Sequence, residues 1–91
     1  MLGKLDRARK YLEKSLELET SKNDFLNLGH VYWCMQNKAK AIENYQKSLR
    51  LASMDFAWFA RAMADDSKHL TMHGIHSFDI PLMIDYIMMS P

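Results

Sequence analysis

An all-α fold of stacked helical repeats is what this chain predicts, and three observations carry that prediction. The set Ala8, Leu12, Ser15, Leu16 and Leu18 recurs as Ala41, Tyr45, Ser48, Leu49 and Leu51, and Lys14-Ser15-Leu16 returns as Lys47-Ser48-Leu49. Recurrence at a spacing of about 20–50 residues marks units that bury their apolar faces only against one another. Apolar residues keep helical spacing almost throughout, and no stretch alternates as a strand would. Of the 91 residues, 48% are hydrophobic and 25% charged, the balance of one small globular domain. Such a domain buries only about 60–65% of its unfolded surface, so a missing neighbour is felt.

The first helix is expected over residues 4–19, where Leu5, Ala8, Leu12, Ser15 and Leu16 share one face and Asp6 and Lys10 stand opposite. Bases crowd its start (Lys4, Arg7, Arg9) and acids its end (Glu17, Glu19), against the helix macrodipole. Thr20-Ser21-Lys22-Asn23 breaks the pattern, with Ser21 or Asn23 as N-cap of a second helix over residues 23–35. That helix has two semi-apolar faces: Phe25, Leu28, Gly29 and Tyr32 on one, Leu26, His30 and Trp33 on the other. A helix of this kind is sandwiched, or packs on one side and binds on the other.

After the turn Gln36-Asn37-Lys38, a third helix over residues 38–52 turns Ala41, Tyr45, Ser48 and Leu49 inward. Ser53 is the expected N-cap of a continuous fourth helix over residues 54–72, with Phe56, Phe59, Ala60, Met63, Ser67 and Leu70 as its apolar face. Gly74 should stop it in the left-handed conformation, Ile75 adding the hydrophobic contact of a Schellman cap. A last helix opens with Asp79 as N-cap and Pro81 in its first turn, where the missing N–H costs nothing. Leu82, Met83, Tyr86, Ile87 and Met89 are expected to face the preceding helices.

A net charge of +1 supplies no field that argues for nucleic acid or a membrane surface, so neither is expected as a partner. The most apolar stretch, residues 80–89, is shorter than the ~20 residues of a spanning helix and is interrupted by Asp85. The charged N-terminal residues are not followed by an apolar segment, so no signal peptide is read there. The lone Cys34 allows no internal disulfide, which fits a reducing compartment, and the expected location is cytoplasmic.

The ordered run Phe25, Leu28-Gly29, Tyr32, Ala41, Tyr45 and Ser48 resembles one full tetratricopeptide repeat. In that family the small residues, here Gly29 and Ala41, lie where two antiparallel helices approach closest, with Tyr32 and Tyr45 beside them. Residues 1–18 resemble the second half of a preceding repeat, with Gly3 at the turn. The helix from Met54 is similar to the opening helix of a third unit, Phe59 corresponding to Phe25. There the likeness decays: Met63 stands where Gly29 stood, Asp66 where Tyr32 stood, and Ser53 replaces the family's usual proline. The resemblance implies antiparallel helix pairs in a short right-handed superhelix of about five helices, forming one domain. Residues 1–53 would hold one and a half repeats, and residues 54–91 a capping extension packed on them.

The same resemblance implies a concave groove that holds a segment of another protein or a peptide. Carried over residue by residue, its positions are Asn23, Leu26, Asn27, His30 and Trp33, joined by Ala57, Ala60, Arg61 and Ala64 on the next helix. Asn27 suits hydrogen bonding to a peptide backbone, Trp33 an apolar platform and Arg61 a ligand carboxylate. The plainer role for Leu26 and Trp33 is packing against a neighbouring helix. The expected function is therefore a non-catalytic protein-interaction scaffold.

An alternative function, a metal-responsive regulatory module, rests on Asp65, His69, His73 and His76. Spacing of four puts Asp65, His69 and His73 on one face of a continuous helix, which suits zinc or nickel. The plainer role is a solvated cluster with an ordinary Asp65–His69 pair. No nucleophile–base arrangement or phosphate-binding glycine loop stands in the sequence, so neither an enzyme nor a cofactor is expected.

Self-association is also expected. The first helix carries a stripe that normally packs on the first helix of its own repeat, and each half-exposed leucine-sized group forgoes on the order of 1 kcal/mol. The two resolutions are an isologous antiparallel dimer about Leu5 and Leu12, or a longer repeat array of which this is the C-terminal portion.

Overall fold

Polar breaks divide the first half of the chain into α1 (Leu2–Leu18), α2 (Lys22–Cys34) and α3 (Lys38–Leu51). In this computed structural model, which describes residues 2–90, they are followed by α4 (Phe56–Asp65), α5 (Ser67–Met72) and α6 (Asp79–Met89). The all-α expectation holds, with no strand among the described residues, but there are six helices where about five were expected. The continuous helix expected over residues 54–72 is two. Its apolar spacing runs straight through Asp66, yet that residue's carboxylate is drawn to His30, 2.9 Å away on α2. Asp is a poor interior helix residue, and a tertiary partner outweighs the local pattern.

The N-caps of α2, α3 and α4 each follow from a short polar side chain. Ser21 accepts the Asp24 N–H at 3.4 Å, Asn37 the Lys40 N–H at 3.2 Å and Asp55 the Trp58 N–H at 3.0 Å. Asp55 thus takes the capping role expected of Ser53. Ser53 instead ends α3 in the left-handed region with φ 56°, followed by Met54 at φ 62°. The Met54 N–H reaches Leu49 O at 2.9 Å and the Ser53 N–H reaches Arg50 O at 3.0 Å, a complete Schellman motif. Gln36 (φ 66°) ends α2 in the same way, and Gly74 (φ 96°) ends α5 as the sequence predicts. Gly3, expected at a turn, lies within α1, and Asp79 is the first residue of α6, not its N-cap.

Gln36 occupies a conformation that a side chain makes unfavourable by about 1–2 kcal/mol, partly offset in glycine by its greater freedom when unfolded. Gln36→Gly should therefore raise stability by about 0.5–1 kcal/mol, read as a higher urea midpoint at unchanged slope.

α2 lies between α1 and α3, while α6 packs on α3 and α4. Tyr45, Leu49, Phe59, Met63, Leu70 and Ile87 are fully buried. Tyr45 is the meeting point: Trp33 and Phe59 approach its ring edge-on, with centroids 6.2 and 6.0 Å away, and Gly29 lies against its ring. The repeat-related serines do more than pack. Ser15 Oγ donates to Asp24 Oδ2 at 2.9 Å and Ser48 Oγ to the Lys22 carbonyl at 2.8 Å, so α1 and α3 hold the first turn of α2 from two sides.

Leu12 is buried and Leu5, Ala8 and Leu16 are half-buried, so the α1 stripe that motivated an isologous dimer about Leu5 and Leu12 is covered only in part. Among the described residues, no helix is long and apolar enough to cross a membrane.

Candidate functional site

The break at Asp66 turns the chain so that Asp66 and His69 stand across α2 from α1. Between them runs a groove of about 360 Å³. Its floor is α2, through Asn27, His30, Val31 and Cys34, and its apolar wall is α1, through Leu5, Ala8, Tyr11 and Leu12. Helical spacing explains the composition: the α1 residues are those of its packing stripe that α2 does not fully cover, with the exposed Tyr11 at the rim.

His30 joins groove to core. It is 5% exposed, with Nε2 2.9 Å from Asp66 Oδ2 and Nδ1 2.7 Å from Tyr45 Oη. A neutral imidazole satisfies both contacts, its Nε2–H donating to the carboxylate and its Nδ1 accepting from the Tyr45 hydroxyl. Burial pushes the His30 pKa below the ordinary imidazole value, outweighing the hydrogen bond and charge of Asp66, which favour the proton. Burial also holds the Tyr45 phenol well above its usual range and raises the Cys34 thiol, so neither is an activated nucleophile.

A depressed imidazole pKa means that, below the unfolded-state value of about 6.5, the unfolded chain takes up a proton that folded His30 refuses. Stability should then fall on acidification, with at most about 1.4 kcal/mol per pH unit coming from this residue. Urea denaturation at pH 7 and pH 5 checks this: His30→Gln should start less stable but lose less on acidification.

Of the groove positions carried over from the family, Asn27 and His30 line this groove, while Asn23 is exposed outside its lining. Leu26, His30 and Trp33 are 4, 5 and 6% exposed, so all three lie in the core, with His30 alone of them reaching the groove floor. The reason is tertiary: the second semi-apolar face of α2 is packed, with Trp33 against Tyr45 and His30 tied to Asp66. On α4, Arg61, Ala57 and Ala64 are exposed and Ala60 half-buried, and none of the four lines the groove.

Within the histidine cluster His69 and His73 stand side by side, their ring centroids 4.5 Å apart, and the other two residues lie apart from them. Asp65 closes α4 on one side of the Asp66 break, and His69 and His73 follow on the other. His73 Nδ1 donates to the His69 carbonyl at 3.0 Å. His76 leaves the helix, stacks on Phe78 at 5.1 Å, and its Nδ1 accepts the Phe78 N–H at 3.2 Å. Among the described residues there is no group of three or more His, Cys, Asp or Glu placed to hold a metal ion, so the metal-responsive alternative loses its ligand set.

Two site residues escape the repeat pattern, Tyr11 and Asp66. The one signal for Asp66 is its departure from the aromatic at the equivalent position Tyr32.

A family model described as tetratricopeptide repeat matches residues 2–22 and 25–53, over half of the chain. No curated protein and no solved structure matches it.

Proposed function

Because the chain belongs to the tetratricopeptide repeat family, whose repeats generally mediate protein–protein interaction, we propose that it is a non-catalytic scaffold holding a segment of another protein in the groove between α1 and the α4–α5 joint. The observation that carries this is the groove's chemistry: an apolar wall ending in the exposed Tyr11, beside the exposed amide of Asn27 and the carboxylate of Asp66. Apolar area with a few oriented polar groups is what an extended peptide needs, since its side chains seek burial and its backbone needs hydrogen-bond partners.

Peptides selected by display against the whole chain provide the test. Tyr11→Ala and Asn27→Ala should each weaken the selected peptides by about tenfold, the scale of a central contact. Arg61→Ala should weaken them also if the exposed face of α4 joins the site. Peptides that bind the Tyr11→Ala/Asn27→Ala chain as well as the wild type would show that the groove is not the site.

A further inference from the structure

α6 is apolar on two sides. Ile80, Met83 and Ile87 are buried, while Phe78, Leu82, Tyr86 and Met89 are 75, 65, 52 and 82% exposed. Their spacing places these four on one continuous outward stripe. A helix apolar all round belongs in an interior, and the closing unit of a repeat stack carries a polar outer face. Asp79 and Asp85 flank the stripe and α6 contains no base, the neighbouring base being Lys38 of α3, in the cleft beside Asp79, Leu82 and Tyr86.

α1 presents the opposite pattern. Its outward side carries Tyr11 and Leu18, 74 and 84% exposed. Around Tyr11 stand the exposed bases Lys4, Arg7, Lys10 and Lys14, with Lys10 paired to Asp6 at 3.2 Å and the exposed acid Glu17 beside Leu18.

We propose that the chain associates with itself head to tail, the α6 stripe of one copy seating on the outward face of α1 in the next. Charge selects this pairing over the symmetric alternatives. Two α6 stripes would bring Asp79 and Asp85 against their own copies, and two α1 helices crossed antiparallel at Tyr11 would set Arg7 beside Lys14 as often as Lys4 beside Glu17, a balance with no net attraction. α6 on α1 places acids among bases and covers both sets of exposed apolar residues, Tyr11 among them, so association competes with a peptide in the groove. The contact is heterologous, so each added copy leaves one α1 and one α6 free and growth does not close at two. A single helix on a single helix falls well below the ~1,600 Å² of a standard interface, and a Kd of about 10–100 µM is expected.

Sedimentation equilibrium on the full chain, from about 5 to 500 µM to bracket that Kd, tests the proposal. The average mass should climb past two 10.7 kDa chains without a plateau, and less steeply at high salt. An Asp79→Lys/Asp85→Lys chain and an Arg7→Glu/Lys14→Glu chain should each remain monomeric alone and associate when mixed. Leu82→Glu, on the exposed stripe, supplies an independent block. Arg7, Lys14, Asp79 and Asp85 do not line the groove, so peptide binding by the charge-reversed chains should be retained. A mass that plateaus at the dimer, a monomer throughout, or an Arg7→Glu/Lys14→Glu chain that associates like the wild type would overturn the proposal.

Discussion

Replacing Phe59 with alanine should lower the unfolding free energy by about 3–5 kcal/mol. The ring is fully buried and meets Tyr45 edge-on at 6.0 Å. Only Phe59 and Met63 of α4 are buried, so truncation removes one of the two side chains that anchor the helix. The void opens beside an aromatic ring already fixed by a hydrogen bond and therefore slow to collapse. A domain of this size has total stability of roughly 5–14 kcal/mol, so the variant should stand close to its unfolding threshold. Urea titration followed by circular dichroism would show the midpoint fall. A loss below about 1 kcal/mol would mean that α4 closes over the void.

Gly29→Ala should destabilise by about 2–3 kcal/mol, although alanine is the better helix former by about 1 kcal/mol. The added Cβ would lie 2.5 Å from Tyr45 Cδ1 and Cε1 and 3.0 Å from Cζ. Relief requires the ring to move, and the ring has nowhere to go. Its hydroxyl is bonded to His30 Nδ1 at 2.7 Å, and Trp33 and Phe59 flank it edge-on. Overpacking therefore outweighs propensity. The same urea titration decides it, and a variant as stable as the wild type would show that α2 and α3 can separate at this point without loss.

The elements of the first half were legible because each level of the sequence agrees there. Apolar spacing, polar breaks and capping residues all point to α1, α2 and α3, and Gly29 was marked as a point of close approach by its place in the repeat. Beyond residue 53 the local signals were ambiguous. Ser53 and Asp55 are both competent caps two positions apart, and the left-handed end of α3 decides between them. The break at Asp66 has one faint local trace, an aspartate where the repeat carries an aromatic, because its partner is a histidine 36 residues away. The cluster of Asp65, His69 and His73 has the same origin: its spacing puts all three on one face only of an unbroken helix.

The candidate site was legible in part. α2 was correctly singled out as two-faced, and Asn27 was placed on the groove. Which face is packed depends on tertiary neighbours: Trp33 goes in against Tyr45 of α3, and His30 is tied to Asp66. The wall supplied by α1 went unread for a related reason: its residues belong to a packing stripe, and only the extent of coverage by α2 leaves part of it open.

The contacts around Tyr45 also bear on how such a sequence can diverge. Gly29 exists to admit its ring, His30 accepts from its hydroxyl, Phe59 leans on its edge, and Asp66 satisfies the far nitrogen of His30. No one of these five positions can drift freely while the others stay, because each change leaves a clash, a void or an unpaired buried group. They form a single inherited character. Descendants of this chain should keep all five or replace them as a set, while the outward residues of α4 vary one at a time.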